Sequence, residues 1–545
     1  MPMSASSSSS SNPLSVLRIP AFRNRWGASL VSNLGTLVQS VGAGWMMTQI
    51  SDSDAMVGLV QGAVTVPTML FAVFAGTLAD SHDRRIVMIG AQLFMMASAV
   101  LLTVLAWVGL MTPWLLVGLT FLIGTGSTFF NPSWQASMGD IVPRSELPSA
   151  VALNSMGFNA MRSVGPAIGG IIVAVAGAAA AFALNAVSYV AMIIALWLWK
   201  APLPDRSLPR EPLRLAVQSG LRYVAMSPNL VNVMGRAFLF GLGAVAVLSL
   251  LPVVAHERLG GDATTYGILL GCFGVGAIFG AFFNAKLRAA MDNEHICRAA
   301  AFAGGGATLL LAFAPVIWLC LPALLVAGAS WVIALSLFNV TVQLSTPRWV
   351  VGRAIALYQS ASFGGMALGS WLWGAVSDGQ TLAIALGGAA VTLVLAGLVG
   401  LHRPLPEYGS LDLSPLGLFR EPMLRLDIQP RSGPVVVEIS YEIDPADVDA
   451  FLEVMAERRR VRIRDGAQNW VLMRDLESPR IWQETYHVPT WVEYIRHNTR
   501  RTVADRESLE RLQGLHRGAE PPKARRMIER HSLARGRGGV YRFDI

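Results

Sequence analysis

The side chains of this 545-residue chain that have the type and spacing to do chemistry are mostly charges set among apolar residues. Gly76, Asp80 and Arg84 follow one another at four-residue steps, with Arg85 next, around the junction of the second and third apolar runs. A glycine there admits a neighbouring backbone, and the carboxylate can face the N-terminus of another helix, the end that favours an anion. The chemistry is that of an ionic contact between helix ends; the plainer reading is that Asp80, Arg84 and Arg85 only set topology. Arg162 lies inside an apolar stretch, about 20 Å along its helix, and Asn33 is expected at similar depth on the first helix. A guanidinium so placed must face a watery cavity or a partner. Arg162 and Asn33 are therefore predicted to line a substrate cavity, Arg162 offering its fork of donors to carboxylate or catecholate oxygens. The alternative is that Arg162 bonds backbone carbonyls or Asn33 and holds one half of the protein together.

Other reactive residue types lack the spacing that chemistry needs. Cys272, Cys297 and Cys320 show neither pairing nor metal-ligand spacing and read as packing residues. His487, His497, His516 and His531 form no recognisable ligand set. Lys200, Lys286 and Lys523 follow Trp199, Ala285 and Pro522, so no phosphate-binding loop is present and an ion gradient is the expected energy source. No acidic residue falls well inside an apolar run, and Asp52 and Asp54 sit just outside the first. No catalytic residue, metal or cofactor is predicted.

The elements that must position these residues are dictated by solvent. Hydrophobic residues make up 53% of the chain and charged ones 14%, with mean hydropathy +0.48, which excludes an ordinary water-soluble fold. Residues 1–402 carry 19 Lys and Arg and 13 Asp and Glu, whereas the 143 residues after them carry 24 and 22. The net charge of +8 does not mark nucleic-acid binding, because its bases lie between apolar runs or are matched by acids. Membrane lipid and a small-molecule substrate are the expected partners.

Apolar runs of spanning length occupy 22–50, 56–79, 86–108, 114–139, 149–176 and 178–199, then 230–256, 264–286, 296–315, 317–343, 352–377 and 380–401. The chain thus divides into a disordered N-terminus (1–21), a six-helix half (22–199), a Pro- and Arg-rich linker (200–228), a second six-helix half (229–402), another linker (403–433) and a soluble domain (434–545). Arg23, Arg84, Arg144, Arg288, Arg348 and Arg403 share one side with the central linker, whereas Arg258 stands opposite. By the excess of positive charge, both termini are cytoplasmic and the run from Trp26 to Ile50 is retained, with no cleavage site. Internal repetition pairs the halves: 150–153 recurs at 354–357, and Gly76, Asp80 and Arg84 recur as Gly280, Asn284 and Arg288, displaced by 204 residues. Asn131 and Gln135 recur as Asn339 and Gln343. Repeats of this kind enclose a central cavity and alternate its access.

The segment from Gly76 to Arg85 resembles the gate signature of the major facilitator superfamily, with Ser81 and Asp83 where that family usually has a base and a glycine. By resemblance, Gly76, Asp80, Arg84 and Arg85 form the cytoplasmic gate. Arg162, Gly165, Pro166, Gly169 and Gly170 resemble the helix-5 element of exporters in that superfamily, although tight packing alone would also account for the glycines. The segments 22–26, 31–35, 58–61, 132–135, 142–144 and 185–188 resemble the enterobactin-exporter branch, the transmembrane secretion effectors, across nearly the whole chain. The resemblance implies proton-coupled efflux of a siderophore- or antibiotic-like compound across the inner membrane. An importer of the same fold, or a membrane-anchored monooxygenase-like enzyme or sensor, is the competing reading.

In the soluble domain, 435–443 alternates as a strand, 445–460 reads as a helix capped by Asp444, 468–474 and 481–488 as strands, and 491–501 as a helix. This order suggests an antiparallel, ferredoxin-like α+β unit that pairs into a homodimer or regulates transport. Thus the predicted fold class is an all-α polytopic membrane protein of twelve transmembrane helices with an α+β appendage.

Overall fold

The computed structural model describes residues 13–143, 146–199, 213–347, 349–406 and, after that, 412–413, 416, 419, 421–422 and 424–529. Two compact units emerge, one of Met1–Thr346 with Val350–Tyr408, the other of Pro347–Trp349 with Gly409–Ile545. The first is helical throughout its regular structure. Its helices are α1 (Pro20–Ile50), α2 (Asp54–Ser81), α3 (Arg84–Trp107), α4 (Pro113–Ile141), α5 (Leu147–Trp197), α6 (Leu213–Ala225), α7 (Pro228–Val253), α8 (Ala263–Ala290), α9 (Asn293–Phe313), α10 (Ile317–Leu344), α11 (Val351–Gly379) and α12 (Leu382–Val399).

Polar residues between the apolar runs start these helices. Ser53, Thr112, Asp262 and Thr381 cap α2, α4, α8 and α12 by accepting from backbone N–H groups three residues on. Helix α5 extends over 51 residues, which at 1.5 Å per residue would reach about 76 Å, more than twice a bilayer core. Gly177 resolves this. Its φ of 79° and ψ of 168° interrupt the helix, a conformation glycine adopts without a Cβ penalty, and two membrane-length pieces result. Among the described residues nine helices are long and apolar enough to cross a membrane. Helices α1 and α11 have 31 and 29 residues but are interrupted by Ser, Asn, Gln and Gly, because both face the central cavity.

The linker expected at 200–228 is partly regular. Its first thirteen residues lie outside the described ones, but 213–225 form the amphipathic helix α6, with Tyr223 and Val224 buried. Gly220 packs against the aliphatic part of Arg353, whose Nη1 donates to Ser219 Oγ at 2.6 Å.

The second unit runs β1 (Val435–Glu442), α13 (Val448–Asp465), β2 (Gln468–Arg474), β3 (Ile481–Val488), α14 (Trp491–Thr499), α15 (Arg506–Leu515) and β4 (Ala524–Ile528). Its antiparallel sheet has the order β2-β3-β1-β4, with Val437 opposite Tyr486 and Arg526. Sequence periodicity missed α15 and β4 and ended α13 five residues early. The strand Ala524–Ile528 carries two arginines and is strand only because β1 supplies its hydrogen bonds. Alternate residues of β1 and β3, including Val437, Ile439, Tyr441 and Tyr486, bury one sheet face with Phe451, Val454 and Met455 of α13.

Candidate functional site

A cavity of ≈ 770 Å³ lies in the first unit between α1, α2, α4 and α5 on one side and α11 on the other. It occupies the end of the bundle where α1, α5 and α11 begin and where α2 and α4 finish. Asn33, Asn131, Gln135, Asn154 and Gln359 give its wall five carboxamides, while Phe130, Trp134, Phe158 and Phe363 supply aromatic surface. Carboxamides both donate and accept without net charge, so such a wall suits uncharged polar groups on an apolar body. Arg353 is the cation that lines it among the described residues.

At the opposite end the two halves close on each other. Helices α2 and α11 cross so tightly that a side chain on Gly58 would run into the Ser370 carbonyl, and a Cβ on Gly374 would stand 2.8 Å from Asp54 O. Gly170 of α5 and Gly267 of α8 meet in the same way, each lying 2.8 Å from where the other's Cβ would be. Asp378, at the end of α11, accepts from Ser53 Oγ at 2.6 Å and from Ala55 N at 3.1 Å, and also from the Asp54 amide. It caps the N-terminus of α2 from the other half, where the helix dipole favours a carboxylate. In return Asp54 Oδ2 accepts from Ser377 Oγ at 2.5 Å. Two neighbouring carboxylates thus hold this end shut. Asp54, just outside the first apolar run, is a weak proton-carrier candidate from sequence, and Asp378 stands one position past the run 352–377 with nothing nearby in the sequence to mark its partners.

The other expected residues separate. Arg84 Nη1 bonds Asp140 at 2.7 Å and the Ala136 carbonyl at 3.1 Å, tying the α2–α3 turn to the end of α4. Arg85 donates to the Leu196 and Trp197 carbonyls at 3.0 and 2.6 Å, capping the C-terminus of α5. The repeat partner Arg288 acts likewise, bonding Ser336 of α10 at 2.8 Å. The side chain of Asp80 lies outside the described residues, as do Arg144 and Arg348. Gly76 does not take the close helix contact expected of it: a Cβ there would meet nothing within 4 Å, because the residue borders the cavity. Gly280, its repeat partner, takes that contact instead, 2.6 Å from Ala329 O by the same measure.

Asn33 lines the cavity, but Arg162 is not among the described residues that do so. Its guanidinium carbon stands 6.0 Å from the Phe273 ring and 5.9 Å from the Trp331 ring, aromatics of α8 and α10. Cation–π attraction to the second half replaces the expected cavity-facing placement. Gly165 and Gly169 pack against Leu37 and Val38 of α1, and the Pro166 carbonyl faces Gly267. The helix-5 element is thus a packing surface toward both halves.

Residues 11–533 match the family described as transmembrane secretion effector. The chain belongs to that family. This protein is therefore a major facilitator exporter of small molecules, spanning the membrane several times. It is 25% identical over 401 residues to the multidrug efflux pump Tap of Mycolicibacterium fortuitum, covering 71% of this chain and 96% of that protein. The staphyloferrin A transporter of Staphylococcus aureus is 24% identical over 46% of this chain and 64% of its own length. A bacterial homologue of the lysosomal transporter Spinster, solved inward-facing and unoccupied, shares the fold with TM-score 0.55 and 15% identity, over 70% of this exporter and 95% of that chain.

In the exporter's second unit a buried charge cluster centres on Glu484. Its carboxylate accepts from Arg458 at 2.9 Å, Tyr441 at 2.7 Å, and Arg462 and Trp470 each at 3.1 Å. Burial opposes ionisation, but Arg458 and Arg462 outweigh it and hold the carboxyl well below the usual carboxylate range. A depressed folded pKa contributes stability above the unfolded value of 4.5 and loses it as pH falls toward the folded pKa. Urea unfolding of the second unit between pH 4 and 2 should therefore lose stability more steeply than in Glu484→Gln, by up to about 1.4 kcal/mol per pH unit. Equal slopes would refute this role.

Proposed function

We propose that the exporter expels a siderophore- or antibiotic-like amphipathic compound across the inner membrane by proton antiport. The carrying observation is the carboxamide- and aromatic-lined cavity of ≈ 770 Å³, a size suited to a drug-like solute. The efflux and staphyloferrin A functions named for its relatives support the same substrate class. Twelve spans are the reading that best fits the lengths of α1 and α11 and the break at Gly177. With basic loops at the cavity end, the cavity faces the cytoplasm, both termini lie there, and Gly76, Asp80, Arg84 and Arg85 guard it. Asp54 and Asp378 then close the outer end and are the proposed proton-responsive pair.

For the second unit we propose a ferredoxin-like fold, in keeping with its β-α-β-β-α-β order, and self-association through the open sheet face. Val471, Met473 and Met527 on that face are exposed.

Inverted vesicles test the transport reading. An imposed pH gradient should drive uptake of a macrolide probe, and Asp378→Asn should lower the rate roughly tenfold or more at equal abundance, since it removes charge-assisted bonds to an N-terminus. Uptake indifferent to an uncoupler would refute antiport. Movement in the reverse direction would identify an importer.

A further inference from the structure

The second unit holds a cavity of its own, of ≈ 430 Å³, between the sheet, α13, α14 and α15. Four arginines line it, Arg458, Arg462, Arg501 and Arg526, and no carboxylate does so among the described residues. Glu484, set behind the wall, accounts for two of them by accepting from Arg458 and Arg462. It bonds neither of the others. Arg526 donates to Tyr494 Oη at 2.5 Å, and Arg501 donates to the Asn498 amide oxygen at 2.8 Å, neither partner carrying a charge. Arg462 also donates to His497 Nε2 at 3.1 Å, so that ring must accept and is neutral. Burial first, then the neighbouring Arg462, pull the Arg501 guanidinium down to about 10, and the Asp465 carboxylate offsets this only in part.

Arg462 is buried, Arg458 and Arg501 are half-buried and Arg526 is exposed, and like charges gathered around a void favour an anion entering it. The rest of the wall describes that solute. Phe419, Ile439, Leu509 and Leu512 give apolar surface, and Tyr486 and Tyr494 present rings. We propose that this cavity is a binding site for a small organic anion, with a compact oxyanion head toward Arg501 and a ring-sized apolar body among the aromatic and leucine side chains. The site belongs to the second unit alone and does not depend on which compound the first unit exports. It gives the appended domain a ligand to sense.

Calorimetry on the full chain in lipid nanodiscs tests it, with benzoate, phenyl phosphate, benzyl alcohol and inorganic phosphate as probes. Benzoate or phenyl phosphate should bind saturably, and benzyl alcohol and inorganic phosphate at least about tenfold more weakly, since each lacks one half of the recognition. Arg501→Gln should weaken binding of the ring anions roughly 10- to 100-fold. Leu509→Trp narrows the void without removing charge and should weaken them as well, which covers the case in which Arg501→Gln does not fold. Asn33→Ala, in the first unit's cavity, should leave this binding unchanged. Absence of saturable binding, equal binding of benzyl alcohol, or wild-type affinity in Leu509→Trp would overturn the proposal. Inorganic phosphate binding as tightly as phenyl phosphate would do so too, since the apolar wall would then have no function.

Discussion

Gly58→Leu should nearly abolish net export while leaving the protein in the membrane at normal abundance. In the present conformation the Cβ position of Gly58 is filled by the Ser370 carbonyl of α11, and backbone cannot rotate away as a side chain could. Overpacking of this kind costs about 1–3 kcal/mol. In a rigid core that energy would appear as lost stability. Here a second arrangement relieves it, because alternating access requires these ends of α2 and α11 to part. The substitution should therefore move the population roughly ten- to a hundredfold toward the state open at the Asp378 end. A cysteine introduced at Ser53, with Cys272, Cys297 and Cys320 replaced, should become more reactive toward a membrane-impermeant maleimide while export stalls. Unchanged labelling together with unchanged export would show that the Gly58 contact is no gate.

Arg236→Met should have the largest effect on stability. Its side chain is 2% exposed, Nη1 lies 2.5 Å from Glu294 Oε2, and Nη2 donates to Cys297 Sγ at 3.2 Å. Glu294 Oε2 also accepts from Leu405 N at 2.9 Å, so the pair joins α7, α9 and the segment beyond α12. Removing one partner leaves a charge buried, which typically costs about 3–5 kcal/mol. Abundance and detergent melting temperature should both fall. Arg236→Met with Glu294→Leu should recover most of the loss, because the isolated carboxylate is then gone. If the double variant melted no higher than the single one, the damage would lie in packing around Arg236 rather than in the unpaired charge.

Arg236 illustrates the limit of reading charge from hydropathy. It stands only seven positions into its apolar run at 230–256, whereas Arg162 stands deeper in its own, so depth alone singled out Arg162. The buried pairing was invisible because Glu294 lies 58 residues away. Asp378 escaped for the same reason, its partners being more than 320 residues distant.

The sequence by itself determined that this chain lies largely in a membrane, that its long helices follow its apolar runs, the family, and most of the appended domain's strands. These are local or periodic properties, written by hydropathy, caps and repeats into consecutive residues. Only the tertiary structure decided that α1 and α11 are polar because they wall a cavity, and that Arg162 rests on Phe273 and Trp331 while Asn33 faces the void. Gly76 proved open, and it was Gly58, Gly170 and Gly374 that bring the halves together. The arginine-lined cavity of the second unit likewise needed α15 and β4, whose arginines and polar residues carry little periodic signal of their own. Such features depend on which helix face meets which neighbour across hundreds of residues, and that is settled by packing between elements rather than by the preferences of any one of them.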